Sequence, residues 1–228
     1  MAVMVSEELL RKAEEFHGHV CPYLVLGLRA SEIAFEKLGV ARPGVSGTLH
    51  EDILAIVEAN NCFADGVQVA TGCTLGNNSL IYLDAGKTAL TLFKRGEKKG
   101  VRVYVDPEKI NQLIPQEASE LWRRVVRERK GSEEDAVRLH EIFKQLGRKM
   151  LNLPEEYFKV SFVEITEEPE RAPIFENVRC ESCGELVMKP RAVFIDGKAY
   201  CPSCANVPVH AVVGRGIRSI RVPFRKVA

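Results

Sequence analysis

Apolar and polar positions alternate along this chain with two distinct periods, and the first to appear is helical. In "SEELLRKAEEF", Leu9, Leu10, Ala13 and Phe16 recur on one side behind Ser6, a good helix cap, and the helix ends near Gly18. A second helix follows over "CPYLVLGLRASEIAFEKLG", with Pro22 suited to its first turn and Gly39 to the position past its end. Its opening turns are apolar nearly all round, which predicts burial. Cys21 therefore sits where a buried helix begins.

Beyond residue 48 the pattern shifts toward a period of two. "TLHEDILAIVEAN" leads into a strand, whereas "ADGVQVATG" is short enough to be a strand or a brief helix, and its pattern does not separate them. "NSLIYLD", "KTALTLF" and "VRVYVD" are strand-like, and the breaks "AG" and "KRGEKKG" between them predict an antiparallel meander. "SEEDAVRLHEIFKQLGRKM" is a helix capped by Ser132 with Asp135 three residues on; Leu139, Ile142, Phe143, Leu146 and Met150 form its stripe. "TEEPERAPIFENVR" has prolines and glutamates but no period, as a linker does. The predicted architecture is α+β: a mixed or antiparallel sheet with packed helices over residues 1–165, a linker at 166–178 and a small cysteine-bearing domain at 179–228.

Composition narrows the class. The chain has 228 residues, 46% hydrophobic, enough for one good core plus a satellite, and 32 basic residues against 31 acidic ones give a net charge of +1. No global field recruits nucleic acid or an anionic membrane. The start, "MAVMVSEELL", turns acidic too soon for a signal peptide, and no apolar run reaches the roughly 18 residues of a membrane span. The expected location is the cytoplasm, where seven cysteines point to metal or thiol chemistry rather than disulfides.

Four of those cysteines make a strong motif. Cys180 and Cys183 in "CESC" are followed, after 17 intervening residues, by Cys201 and Cys204 in "CPSC". Each Cys-x2-Cys turn presents two sulfurs from one knuckle, and a hairpin over "VFIDGKAY", turning at Asp196-Gly197, brings the knuckles together. A thioredoxin-like dithiol needs only one pair beside a βαβ unit, so two matched pairs favour a four-cysteine zinc site. With every position filled by sulfur, such a zinc is structural and supplies folding energy to a small domain. Arg215, Arg218, Arg221, Arg225 and Lys226 make the tail basic, but without interleaved aromatics or a groove-entering helix it reads as a solvated face rather than a nucleic-acid surface.

The front cysteines are less regular and chemically richer. "FHGHVCP" places His17, His19 and Cys21 at alternate positions, and an extended turn would set them on one side. Gly18 permits such a turn, Pro22 forces Cys21 out of helical conformation, and a helix N-terminus pushes a thiol toward thiolate. "ENNCFADGVQVATGCTLGNN" adds Cys62, Asp65 and Cys73 at element ends. A lone cysteine is an ordinary small hydrophobe and a lone histidine commonly a satisfied core group. Three cysteines and two histidines gathered at element ends point to a metal or thiol site instead. "DAGKT" is no phosphate loop, because Ile81 stands where the earlier glycine must be. Gly86 and Lys87 read as a turn, with Asp84 and Lys87 able to edge a pocket. His50, in or near a strand, is a second-rank candidate; His140 and His210 read as surface residues.

"FHGHVCPYLVLGLRA", "AIVEANNCFADGVQVATGCTLGNNSLIYLDAGKTAL" and the terminal "CESC…CPSC" resemble the FmdE family of formylmethanofuran dehydrogenase proteins, from Phe16 through the "TALTLF" strand and again in the finger. The resemblance implies an α+β core with an auxiliary treble-clef zinc finger, usually dimeric. It also implies association with the molybdenum- or tungsten-dependent enzyme that fixes carbon dioxide onto methanofuran in methanogenic metabolism. Tyr23 departs from the common "HGHxCPG" pattern, and its ring would narrow the mouth of a site. The chain has no room for a pterin-binding domain and no ferredoxin-like cysteine run, so it is not the redox catalyst alone.

The leading expectation is a metal-binding FmdE-type protein whose core holds a second metal among His17, His19, Cys21 and Cys62, with Cys73 as a further ligand or neighbouring thiol. Imidazole and thiolate ligands suit zinc first, then iron or nickel. Such a metal polarises a carbonyl or formyl oxygen or activates water, Asp65 orients a ligand histidine, and Lys87 offsets substrate charge. Cys21, Cys62, Asp65 and Lys87 are the candidate catalytic residues. The rival expectation is a non-catalytic adaptor or assembly factor that uses the finger for protein contacts. Expected partners are a second copy and the larger formylmethanofuran dehydrogenase complex, with no membrane and no nucleic acid.

Overall fold

The computed structural model describes residues 5–224; Arg225 and Lys226 of the basic tail lie outside the described residues. The chain divides into two compact units, Met1–Pro169 and Glu170–Ala228.

The first unit opens with α1 (Glu7–His17), capped by Ser6, whose hydroxyl accepts from the Leu9 amide, and closed by Gly18 in the left-handed region. Leu9, Leu10 and Ala13 are buried, but Phe16, from the same stripe, stands largely in solvent. α2 (Pro22–Leu38) begins at the N-cap Cys21 and stops at a left-handed Gly39. Its residues from Leu24 to Leu28 are buried on every side, as their all-round apolarity demands. A short α3 (Val45–Leu49) follows and then β1 (Ile53–Val57).

The ambiguous segment after β1 is helical: α4 (Cys62–Thr71), with Asn61 as N-cap and Gly72 as left-handed C-cap. The helix decides the sheet. β2 (Leu80–Tyr82) runs parallel to β1, and a parallel neighbour requires a crossover, which α4 supplies. The expected meander is therefore corrected. β2 does not pair with β3 (Ala89–Lys94), since β1 lies between them in the order β2-β1-β3-β4-β5. β1 pairs antiparallel with β3, and β4 (Lys99–Val105) and β5 (Phe158–Glu164) continue antiparallel beyond it, β5 joining after a helical excursion.

Ile53, Ala55, Val57, Leu90, Leu92, Val101, Val103 and Val105 face the helices in one core with α2 and α4. On the opposite side Leu54 sits across from Phe93, both fully buried. Residues after β5 fold back toward that side: the Ile165 side chain lies against Gly100, and Arg95 binds Glu51 at 2.7 Å, Glu168 at 3.1 Å and the Pro169 carbonyl at 2.7 Å. The stretch expected to be a featureless linker thus starts as part of the core unit.

The excursion contains α5 (Pro107–Asn111), α6 (Gln116–Trp122), a π turn over Arg123–Arg127, and α7 (Glu133–Met150). α7 carries the expected capping box between Ser132 and Asp135. Ala118, Leu121 and Leu139 make a satellite core there, and Met150 reaches the main one.

The second unit is built from hairpins: β6 (Asn177–Arg179) with β7 (Leu186–Met188), β8 (Val193–Ile195) with β9 (Lys198–Tyr200), and β10 (Val209–Val213) with β11 (Gly216–Ile220). β6 takes up Asn177 and Val178, which the sequence placed in the linker. Asp196 and Gly197 both have positive φ, 49° and 76°, the conformation a two-residue hairpin turn needs. Turns follow Cys201, and the chain then enters β10.

Candidate metal centre

Two helix starts and one helix end meet at the core site. Cys21 is the N-cap of α2, Cys62 the first residue of α4, and His17 the last of α1. A ring nitrogen of His17 and the sulfurs of Cys21 and Cys62 all lie within 4.8 Å of one another. What brings them together is the crossing of α2 and α4. Gly27 and Gly66 allow backbone-to-backbone approach there, since a Cβ on Gly27 would meet the Phe63 carbonyl oxygen at 2.2 Å.

His17 is oriented from outside the cluster. Its Nδ1 lies 2.7 Å from Asp65 Oδ2, and because an ionised carboxylate only accepts, Nδ1 carries the hydrogen. Gln68 in turn donates to Asp65 Oδ1 at 3.1 Å. The lone pair is left on Nε2, which is, among the described residues, the buried side-chain nitrogen or oxygen without a hydrogen-bond partner. A buried acceptor without a donor is costly, and a cation removes that cost. A carboxylate holding the far nitrogen of a histidine is also how metal-ligating imidazoles are commonly fixed.

The two thiols lie side by side in the cluster. Hydrogen bonding from the Cys21 side chain holds the Cys62 thiol down, at about 6, against the opposing effect of burial. The same bond, and then burial, push Cys21 well above the ordinary thiol range. One thiolate is therefore already favoured at neutral pH. A tetrahedral zinc with bonds of about 2.3 Å to sulfur and about 2.0 Å to nitrogen keeps its donors under about 4 Å apart, close to the spacing found here. His17, Cys21 and Cys62 thus fit a three-ligand zinc, which leaves one coordination position for another molecule.

The remaining candidates are placed differently. His17 is the last residue of α1 rather than part of an extended turn. His19 lies outside the donor cluster, with its ring centroid 4.5 Å from that of His17. Its imidazole is held below the ordinary range by partial burial of the ring, then by His17 and His140, although the residue as a whole is exposed. His140, read from the sequence as a surface residue, is half-buried and close enough to act on His19. Cys73 is buried apart from the cluster and donates to the Ile53 carbonyl at 3.4 Å. Lys87 is exposed in the turn at Gly86, with its amide bonded to the Glu58 carbonyl at 3.0 Å. Asp84 accepts from the Tyr82 hydroxyl at 2.7 Å. His50 caps α3 instead of lying on a strand, and His210 is exposed on β10. Tyr23 is half-buried, and burial and then Tyr104 raise its phenol. Glycines 27 and 66 are the site determinants that a single-residue reading passes over; their signal is a glycine within each of two helices whose first turns carry cysteines.

In the second unit the sulfurs of Cys180, Cys183, Cys201 and Cys204 also lie within 4.8 Å of one another, with Cys183 and Cys201 at 3.9 Å. Zinc–sulfur bonds of about 2.3 Å at tetrahedral angles put sulfurs about 3.8 Å apart, so four thiolates fit the ion with no open position. Amides of Cys183 and then Cys201, the latter 3.2 Å from the sulfur, hold the Cys180 thiol down at about 6.

No helix among the described residues is long and apolar enough to cross a membrane. Residues 173–209 match the prokaryotic dksA/traR C4-type zinc finger. A probable S-adenosyl-L-methionine-binding protein of Archaeoglobus fulgidus is 57% identical over 219 residues, covering 96% of this chain and 58% of the relative, so the chain spans well under two thirds of that protein's length. The crystal structure of a tungsten formylmethanofuran dehydrogenase FmdE-like protein from Syntrophus aciditrophicus superposes with a TM-score of 0.55 at 25% identity, covering 87% of this chain and 91% of the other. The family described as FmdE, molybdenum formylmethanofuran dehydrogenase operon, matches residues 16–159, more than half of the sequence and all three residues of the core cluster, and the chain belongs to that family.

Proposed function

We propose that this protein is a metal-dependent partner of one-carbon chemistry. Its core holds a divalent ion, zinc before iron or nickel, on His17 Nε2 and the thiolates of Cys21 and Cys62. The observation that carries this reading is the buried, partnerless Nε2 of a histidine that clusters with two cysteine sulfurs, while Asp65 holds its Nδ1. The bound ion supplies Lewis acidity at its open position, toward a carbonyl or formyl oxygen or a water. The chain's own residues do the rest: Asp65 keeps the imidazole tautomer, Cys21 and Cys62 set the charge, His19 stands beside His17, and Lys87 offsets negative charge on an incoming molecule. The family description supports a place beside formylmethanofuran dehydrogenase; a homodimeric accessory role in the cytoplasm is part of the same proposal.

Metal analysis of the purified full chain tests the reading. Two equivalents are expected, falling to one in Cys21→Ser or Cys62→Ser; unchanged content in both variants overturns it. S-adenosyl-L-methionine, from the longer relative's name, is a second ligand to titrate. Uptake that depends on Cys62 would move the substrate from a carbonyl compound to that sulfonium.

The adaptor reading draws on a second observation, the exposed Leu186, Met188, Phe194 and Ile195 on the finger unit. Association with a larger enzyme that survives Cys62→Ser but fails in Cys183→Ser would favour it.

A further inference from the structure

We infer that Cys21 and Cys62 are also a redox pair, whose oxidation to a disulfide by a hydroperoxide expels the core metal. This rests on the metal-centre reading and adds its regulation. The sulfurs fall in one donor cluster no wider than 4.8 Å, and both are free thiols. Their exposure differs in the useful direction: Cys62 is half-buried and can meet an oxidant, while Cys21 is only 6% exposed. The Gly27–Gly66 contact holds α2 and α4 together independently of any ion, so loss of the metal leaves the two sulfurs adjacent. Cys21 is an N-cap with extended backbone at φ −135° and ψ 161°, outside the helical ladder. Cys73, the remaining core thiol, is buried and bonded to the Ile53 carbonyl, so it does not compete as a resolving partner.

The chemistry closes with a hydroperoxide as oxidant. The Cys62 sulfur attacks one peroxide oxygen, the O–O bond breaks, and a water or alcohol leaves with a proton, giving a sulfenic acid. The Cys21 sulfur then attacks the Cys62 sulfur. An S–S bond forms, the S–O bond breaks, and the Cys21 proton leaves with hydroxide as water. Two electrons pass from the sulfur pair to the peroxide. The disulfide sulfurs no longer carry the thiolate charge that bound the ion, and a dithiol reverses the step.

The experiment uses the full chain with its metal content measured first. Hydrogen peroxide is added in small equivalents, and released metal is read with a chromogenic chelator alongside peptide mass mapping. One metal equivalent is expected to leave in step with a Cys21–Cys62 cross-linked peptide. Dithiothreitol plus zinc should restore it, and Cys62→Ser should form no such peptide. Sulfinic acid at Cys62 without a cross-link, or a cross-link without metal release, overturns the inference. A starting metal content of one equivalent, all of it lost in Cys183→Ser, instead defeats the metal-centre reading, and cross-linking of the metal-free core still tests the pair.

Discussion

Gly27 and Gly66 are in mutual backbone contact: a β-carbon on the first would stand 2.2 Å from the Phe63 carbonyl oxygen, and one on the second 2.1 Å from that of Leu24. No flexible side chain is available to yield at either point. Gly66→Ala should therefore cost more than the ~1–3 kcal/mol common for overpacking, and should displace the start of α4. Thermal unfolding and metal content read together check this. The melting temperature should fall and one metal equivalent should be lost. Loss of stability with full metal retention would separate the helix crossing from the site.

Asp65→Asn keeps the shape of the side chain but lets it offer either an oxygen or an N–H to Nδ1. Metal affinity in the core is expected to fall about 10–100-fold, as when such outer partners are removed elsewhere. Competition with a calibrated chelator measures it, with Cys183→Ser as the background so that only the core site is read.

Cys73→Ala should leave the metal count unchanged. Its thiol is spent on the Ile53 carbonyl, and burial holds it above the usual range. Elemental analysis of the variant beside Cys62→Ala distinguishes a ligand from a packed thiol. A lost equivalent in Cys73→Ala would return it to the ligand set.

Removing zinc from the finger should unfold that unit while the first unit keeps its core, because small hairpins cannot bury enough apolar surface alone. Hydrogen exchange after chelation should show protection lost across residues 177–213 and kept in α2 and β3. Uniform loss across the chain would contradict two separate cores.

Ser132→Ala removes the hydroxyl that accepts from the Asp135 amide, and the capping box with it. About 1 kcal/mol of stability should go. Chemical denaturation reads the shift, and metal content should not change.

Much of this was legible in the sequence because local chemistry dictated it. Ser6, Gly39, Ser132 and the Asp196-Gly197 turn act within a few residues of themselves, and the finger cysteines announce their geometry by spacing. Strand order was not legible, since β1 comes to lie between β2 and β3 only through the crossover helix, and "ADGVQVATG" carries no decisive period. At the core site, Cys21, Cys62 and Asp65 could be nominated by type, but the choice between His17 and His19 depends on a helix ending one residue later than an extended turn would allow. Cys73 looked equivalent to Cys62 in sequence; only the carbonyl of a distant strand tells them apart.

The short run from Glu58 to Asn61 ties the last residue of β1 to the first of α4. An α-helix turns about 100° per residue, so one amino acid inserted in that run would swing Cys62 roughly a quarter-turn around its axis and out of reach of His17. The excursion through α6 and the π turn carries no such constraint. Length variation among relatives that bind the same ion should accumulate there and be barred from the four-residue step beside the sheet.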